Sequence, residues 1–478
     1  MITQQSLQSA QYRVISHYIQ RLRQANEAIK RGHDYRTYWL NLIEQDWSQI
    51  KHWQQWTTLG NDYDIEKARY CSELCLAGNE ILRIRQPPPE RLIWLQQGLE
   101  AAQMIGDNEA ERLCLFQLGQ TYFYLGATEK AKECGYRLLE LAQAAGDEVG
   151  MGHGWYTLGS AALHQGAMDD AEHAFQQCLA IFERLFDDIE VGRALQGIGR
   201  AAMFRGENQH AYEYFLRYLD IAERFGNEAE LSTAYITMNN VLLGLRRYEE
   251  AKTYAERAVQ ICQQTGFQRM LPTAWLCLAV CEAELDDLEA AGTHMEQSIA
   301  SARLIEGKSA VIDALRYLGN VKARQGNYSQ AFSHFEEALE LAREDHILYY
   351  LCEILSAQAW WYVVQGEIDR AHEALREAIG FAFELGSDYF LTIVLLPAIK
   401  LWQRMGWAEP AAEWVGVLTG YPEHVLPRMF DPLCVELERD LGAEGYHRAL
   451  EGGKTVTLYG VLEAIMEQLG SSSFGGFI

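Results

Sequence analysis

The chain is poor in proline, in basic residues and in long apolar runs. Only nine of its 478 residues are proline, and Pro272 is the single one between Glu90 and Leu396. Lys and Arg number 41 against 66 Asp and Glu, which gives a net charge of −25. Broad contact with nucleic-acid phosphates or anionic membranes needs clustered positive charge, so the acidic balance predicts neither as a partner. No stretch approaches the ~20 apolar residues that span a bilayer.

The chain also shows none of the sequence signals of export or of a cysteine-based metal site. Its first residues, Met1 to Ser6, are polar and do not form the apolar core of a signal peptide. Ten cysteines are scattered from Cys71 to Cys434, and no two have the CxxC spacing that seeds zinc sites and redox motifs. Since 49% of the residues are apolar, the chain can bury a large core in which thiols act as small hydrophobes. We therefore predict a folded cytoplasmic protein.

What the chain does contain is an internal repeat of 40 residues. Alanine recurs at this period without insertion or deletion, at Ala131, Ala171, Ala211, Ala251, Ala291, Ala331, Ala371 and Ala411. The positions five residues earlier are mostly glycine: Gly126, Gly166, Gly206, Arg246, Asp286, Gly326, Gly366 and Gly406. The positions twelve residues earlier are mostly small: Gly119, Gly159, Gly199, Asn239, Ala279, Gly319, Ala359 and Ile399.

Each of these columns has a physical reason. The glycine ends a helix, because it adopts the left-handed backbone that other residues resist. The small residue allows two antiparallel helices to approach closely. The alanine and an apolar residue four positions later, such as Phe175 or Phe335, form the inner face of a second helix. The pattern therefore predicts that each unit is a hairpin of two helices.

This pattern resembles the tetratricopeptide repeat (TPR), as in Trp155…Gly159…Gly166…Ala171, and the resemblance covers about residues 91–420. The family unit usually has about 34 residues, so a period of 40 implies longer helices. The resemblance implies an all-α fold, a right-handed α-solenoid of about eight hairpins. The first helix of each hairpin would line a concave wall.

The segments on either side of the repeats predict two helical caps. We predict a helical N-terminal cap over residues 1–90, the solenoid over 91–420, a helical C-terminal cap over 421–470 and a flexible tail over 471–478. Within the first cap, a single helix is expected from about Asp64 to Arg85.

Both caps carry a second resemblance. The segment from Trp39 to Trp47 is similar to the start of the sensor region in bacterial STAND-class signalling ATPases and transcription regulators, and Leu441-Gly442…Gly453 is similar to its end. In that family the repeats sense a small molecule or a protein and switch a separate ATPase module. The resemblance implies that the chain is either a stand-alone sensor or a piece of a longer protein.

No motif in the sequence predicts catalysis. The run Gly452–Thr455 lacks the earlier glycine of a phosphate loop, since that position is Arg448, and the segment before it has a helical pattern. His372 begins like a zinc-protease motif, but Arg376 occupies the place of the second histidine. We therefore predict no enzymatic activity, no cofactor and no metal site.

The register of the repeats predicts which side chains line the concave wall. These are the residues 18, 15, 11, 8 and 7 positions before each alanine. The predicted partner-binding residues are Tyr156, Arg193, Gln196, Arg200, Asn240, Arg316, Asn320 and Arg324. In peptide-binding relatives, asparagine at the position of Asn240 and Asn320 resembles a clamp on an extended backbone. Arginines beside it suit a carboxylate, a phosphate or an acidic segment, although they could equally be a solvated face that neutralises nearby acids.

These features together predict a non-enzymatic TPR scaffold or regulatory protein. We expect it to bind a protein or peptide partner in its concave groove and to couple that partner to a signalling effector, such as an enzyme or an ATPase. The alternative is the small-molecule-sensing region of a STAND-type transcriptional regulator. A third reading, from another class, is a hydrolase or nuclease whose site has no recognisable motif.

Overall fold

A computed structural model of the chain describes residues 4–31, 33–58, 64–125, 127–225, 228–265, 270–305, 307–344, 347–386, 388–419 and 430–468. These residues form 23 helices and no strand. The predicted tail over 471–478 lies outside the described residues, as do Pro422 and Pro427.

The helices follow one another with short turns. Their bounds are α1 Gln4–Arg31, α2 His33–Thr58, α3 Ile65–Leu76, α4 Asn79–Arg85, α5 Pro88–Ile105, α6 Asn108–Tyr124, α7 Thr128–Ala145, α8 Glu148–His164, α9 Met168–Leu185, α10 Asp188–Phe204, α11 Asn208–Phe225, α12 Glu228–Gly244, α13 Tyr248–Thr265, α14 Leu271–Glu284, α15 Leu288–Leu304, α16 Lys308–Arg324, α17 Tyr328–Glu344, α18 Leu348–Gln365, α19 Ile368–Leu385, α20 Asp388–Arg404, α21 Ala408–Leu418, α22 Phe430–Gly453 and α23 Leu458–Gln468.

The chain divides into two compact units. The first comprises Met1–Phe204 and His210–Ala234, and the second comprises Arg205–Gln209 and Tyr235–Ile478. Within each unit, successive helices pack as hairpins, and neighbouring hairpins pack on one another. This confirms the predicted all-α, TPR-like solenoid fold. The domain boundaries predicted from the sequence at residues 90, 420 and 470 describe a different division and stay predictions.

The turns inside the hairpins confirm the role of the glycine column. Five of its members, Gly166, Gly206, Gly326, Gly366 and Gly406, adopt a left-handed backbone with φ between 77° and 86°. At the two repeats without glycine, Arg246 and Asp286 adopt the same conformation, with φ of 57° and 65°. The repeat geometry therefore imposes this conformation even on residues that resist it.

The small-residue column brings the two helices of a hairpin together. A Cβ atom built on Gly319 would lie only 2.5 Å from the ring of Phe335, and one on Gly199 only 2.3 Å from that of Phe215. Both phenylalanines are almost fully buried. The phenylalanine of the second helix thus fills the space left by the missing side chain, as the repeat pattern predicts.

Helices α1 to α4 pack around a buried cluster that includes Ile15, Leu22, Ile43, Ile50 and Leu82. Four half-buried tryptophans of α2 pack against it: Trp39, Trp47, Trp53 and Trp56.

The prediction of a single helix from Asp64 to Arg85 is wrong, because this segment forms two helices, α3 and α4, which are separated at Gly78. The backbone of Gly78 leaves the helical region, and the N–H of Glu80 then bonds to Asn26 of α1 at 2.7 Å.

The C-terminal helices pack on the last hairpin. Gly416 of α21 meets the backbone of α22 so closely that an added Cβ would lie 2.2 Å from the carbonyl oxygen of Leu450. A kink at Gly442, where φ is 71° and ψ is 157°, divides α22 into two parts. Near the start of α22, Asp431 accepts a hydrogen bond from Arg246 Nη1 at 2.8 Å, although 185 residues separate the two along the chain. This ion pair joins the turn after α12 to the C-terminal helices.

The ten cysteines are all free, and every one except Cys434 is buried. Burial is the main cause that raises the pKa of the Cys71, Cys134 and Cys281 thiols to about 12. The described helices do not include one that is both long and apolar enough to cross a bilayer.

Candidate functional site

The predicted partner-binding residues fall on one side of the first helices of the hairpins. Residues three, four and seven positions apart share a helix face, so the predicted register places each set along one stripe. We call this stripe the first-helix wall. In the first unit the predicted residues lie on α8 and α10, and in the second unit on α12 and α16.

Arg193 is held between two carboxylates. Its Nη1 donates to Glu190 Oε1 at 2.8 Å, and its Nη2 lies 3.9 Å from Glu230 Oε1. Burial opposes the positive charge, but these carboxylates outweigh it and raise the pKa of Arg193. Tyr218 donates to the other oxygen of Glu230 at 2.9 Å. The charge of Arg193 is therefore neutralised within the chain.

Glu190 connects this ion pair to an aromatic stack. Its Oε1 lies 3.8 Å from Nε2 of His153, whose ring stacks on Phe116 with a centroid separation of 4.0 Å. Burial would raise the pKa of Glu190, but His153 and Arg193 reverse this effect and lower it. The second oxygen of Glu190 is buried without a hydrogen-bond partner among the described residues.

Arg200 differs from Arg193, because it has no carboxylate partner among the described residues. It is half-buried on α10, and it forms no ion pair within the part of the chain that the structure describes. The histidine of the neighbouring repeat, His164, is close enough to respond to its charge: burial, and then Arg200, lower the pKa of His164. Arg200 thus carries a charge that no ion pair among the described residues neutralises, and His164 beside it gains a positive charge only when protonated.

Tyr156 and Gln196 complete the predicted set in the first unit. Both are half-buried, and they hold equivalent positions of adjacent repeats, on α8 and α10. The Tyr156 ring lies edge-on to Phe175 at 5.6 Å.

In the second unit, Arg316 repeats the arrangement of Arg193. Its Nη2 lies 3.3 Å from Glu353 and 3.5 Å from Asp313, and its guanidinium lies 4.3 Å from the ring centre of Tyr317. The side chain is only 15% exposed. Burial opposes the charge of Arg316, but Glu353 outweighs it and raises the pKa of Arg316. Tyr350 donates to the second oxygen of Asp313 at 2.7 Å.

The remaining predicted residues of the second unit have different surroundings. Asn320 accepts a hydrogen bond from Trp361 Nε1 at 2.8 Å. Arg324 donates to Asp286 at 2.6 Å. Asn240 is exposed, and its amide oxygen lies 3.8 Å from the thiol of Cys277. Of the two predicted clamp asparagines, Asn240 therefore presents its side chain to solvent, whereas Asn320 is engaged within the chain.

The wall also contains residues outside the predicted partner-binding set. These are the partners of the arginines and the asparagine: Glu190, Glu230, Asp313, Glu353 and Trp361. Of these, Asp313 and Glu353 hold the position 18 residues before an alanine that the register predicts to face the wall. A signal for two of them exists in the sequence, because Glu230 and Glu353 follow Arg193 and Arg316 by 37 residues, three short of one repeat. Opposite charges at that spacing meet across adjacent first helices. The structure shows these contacts, and the binding role of the eight predicted residues stays a prediction.

No group of three or more His, Cys, Asp or Glu side chains is placed to hold a metal ion within the ranges that the structure describes.

Models of known families match several parts of the chain. Tetratricopeptide-repeat models match residues 114–144 and 152–184, and again 270–344 and 311–382. The chain therefore contains tetratricopeptide repeats. A model of anaphase-promoting complex subunit 5 matches residues 200–277. No curated protein matches the chain.

Several solved structures align with this chain. A Rap protein complexed with competence and sporulation factor is 14% identical, has a TM-score of 0.52, and aligns over 85% of this chain and 99% of its own. Aspartyl phosphate phosphatase F from Bacillus subtilis is 12% identical, with a TM-score of 0.48 and coverage of 68% and 93%. A STAND protein with a TPR sensor from Pyrococcus horikoshii is 14% identical, with a TM-score of 0.47 and coverage of 79% and 54%. At these identities the likeness concerns the fold, and the small-molecule-sensing alternative stays a prediction.

Proposed function

We propose that this TPR protein is a non-enzymatic scaffold that binds an acidic segment of a protein or peptide partner on its first-helix wall and couples that partner to a signalling effector. TPR solenoids act as protein-interaction scaffolds, and a rigid helical wall presents its polar groups with little loss of entropy on binding. In this proposal, residues 91–420 form the binding solenoid and the flanking helices cap it. The free thiols of all ten cysteines are consistent with a cytoplasmic location.

The observation that carries the proposal is the contrast between Arg200 and the other wall arginines. Arg193 and Arg316 already contact two carboxylates each, so a partner's acid would have to displace a buried ion pair. Arg200 has no such pair among the described residues, and its guanidinium fork can bind a carboxylate in a bidentate manner. His164 beside it would add a second donor when protonated.

We expect Arg200→Ala to weaken the binding of acidic peptides by about tenfold, because a hydrogen bond to a charged group contributes about 1.5–3 kcal/mol. The measurement is fluorescence anisotropy of the full chain with labelled peptides rich in Asp and Glu, compared with matched peptides that carry Asn and Gln. Arg217→Ala is the control, because Arg217 lies on α11 and its exposed pair with Glu183 is off the wall. The proposal would be contradicted if the wild type bound both sets of peptides with equal affinity, or if Arg200→Ala bound the acidic peptides as tightly as the wild type does.

The same site predicts a pH dependence. Its environment lowers the pKa of His164 below the ordinary 6.5, so His164 is neutral at neutral pH. A bound carboxylate favours the protonated ring, and we therefore expect acidic peptides to bind more tightly as the pH falls from about 7.5 to about 5.5. His164→Gln should flatten this dependence while retaining the affinity measured at the higher pH. A wild-type affinity that does not change with pH would remove His164 from the site.

A further inference from the structure

Phe186 has an unusual position in the turn between α9 and α10. Its backbone is left-handed, with φ of 55° and ψ of 35°, and it ends α9 where Gly146 and Gly386 end the equivalent helices of other repeats. Its side chain is 89% exposed. A large aromatic residue is disfavoured in this conformation, and in an isolated chain its exposed ring gains no packing in return. The local fold therefore gives no reason for phenylalanine in place of glycine.

Phe186 borders a groove of about 500 Å³ within the first unit. Val191, Leu216 and Ile221 supply its apolar floor, and Leu216 is 39% exposed. Two further apolar residues near Phe186, Leu185 and Ile189, are 36% and 44% exposed. The same surface thus carries a projecting aromatic side chain and an apolar groove beside it.

The charged rim of the groove carries both signs. Arg217 lies 3.1 Å from Glu183, and Arg224 lies 3.7 Å from both Asp188 and Asp220. These two cations and three acids line the groove as ion pairs within the chain, so the rim does not select a partner of one charge. A surface that carries both signs can meet a rotated copy of itself with acid facing base in both halves.

We propose that this surface is a two-fold symmetric interface between two copies of the chain, in which Phe186 of each copy enters the groove of the other. In a two-fold interface each copy contributes the same patch, so the patch must contain both the inserted side chain and the groove that receives it. Phe186 and the groove beside it meet this requirement. Burial of the ring in the dimer gives the reason for phenylalanine that the isolated chain lacks. This inference is independent of the proposed peptide site, which lies on the first-helix wall.

Analytical ultracentrifugation of the full chain over a range of concentrations tests the proposal. We expect reversible dimerisation of the wild type. Phe186→Gly should raise the dimer dissociation constant at least tenfold while raising the unfolding midpoint of the monomer, since glycine removes the left-handed strain. Leu216→Glu, which places a charge on the groove floor, should also abolish the dimer.

Asp286→Gly is the matched control. It relieves the same backbone conformation at a turn of the second unit and also removes the ion pair between Arg324 and Asp286, so it alters residues that do not line the groove and should leave the dimer constant unchanged. A wild type that stays monomeric at all concentrations, or a Phe186→Gly chain that dimerises as the wild type does, would overturn the proposal.

Discussion

Arg316→Met is expected to lower the free energy of unfolding by about 3 kcal/mol, because it leaves the largely buried Glu353 and the half-buried Asp313 without their cation. Asp313 and Glu353 both lie within 3.5 Å of the guanidinium, and Arg316 is only 15% exposed. Urea unfolding at neutral pH, followed by tryptophan fluorescence, measures the loss. The double variant with Glu353→Gln should recover part of it, because it removes one of the two uncompensated charges.

The loss of unfolding free energy caused by Arg316→Met should become smaller as the pH falls. Burial already raises the pKa of Glu353 above its ordinary 4.5, and removal of Arg316 raises it further, since the charge of Arg316 lowers it more than the hydrogen bond from Tyr389 does. A raised pKa in the folded state stabilises the fold below the unfolded value of 4.5, and this stabilisation is lost as the pH rises through the folded value. The difference between wild type and variant is therefore expected to be largest at neutral pH and smallest near about pH 4.

Arg343→Met provides the comparison for Arg316→Met. Arg343 lies 2.9 Å from Glu377, but both side chains are more than 40% exposed. Exposed pairs contribute about 0–1 kcal/mol, so this variant should unfold almost as the wild type does. Equal losses for the two arginines would show that the Arg316 carboxylates are solvated once the cation is gone.

Gly416→Ala is expected to cost about 2–3 kcal/mol, because the added methyl group would meet backbone rather than a movable side chain. Its Cβ would lie 2.2 Å from the Leu450 carbonyl oxygen and 3.0 Å from the Leu450 Cα. The backbones of α21 and α22 must separate to admit it. Hydrogen exchange of α22 should then speed up selectively, which distinguishes loss of this contact from general destabilisation.

Gly380→Ala is expected to stabilise the fold, in contrast to Gly416→Ala. Gly380 lies inside α19, and nothing surrounds the place where its Cβ would be. Alanine favours the helix by about 0.5–1 kcal/mol over glycine, so this variant should be slightly more stable. A similar destabilisation at both glycines would mean that the close approach at Gly416 does not govern the cost.

The fold could be predicted because every repeat carries the same local information. The glycine that ends the first helix and the alanine that begins the buried face of the second recur in register, and the structure places both as expected. Even the exceptions follow the register, since Arg246 and Asp286 adopt the glycine conformation. The break at Gly78 could not be predicted in this way, because it depends on Asn26 from a helix more than 50 residues earlier.

The candidate site could be predicted in position but not in its contacts. Helical register places Arg193, Arg200 and Arg316 on the first-helix wall, yet it does not say which of them meets an acid from the next repeat. Arg193 and Arg316 do, and Arg200 does not within the described residues. Whether an arginine meets such an acid depends on the residue 37 positions after it, which lies in the next repeat. The contact is therefore a property of two neighbouring repeats rather than of one.

The order in which the chain can be assembled during synthesis follows from how far apart its contacting residues lie. Arg217 and Glu183 are separated by 34 residues, and Trp361 and Asn320 by 41. Each hairpin can therefore dock soon after it leaves the ribosome, because closing such short loops costs little entropy. Arg246 and Asp431, 185 residues apart, can meet only after the start of α22 has emerged. A nascent chain paused before Asp431 would thus hold folded hairpins whose turn after α12 still lacks its distant ion pair.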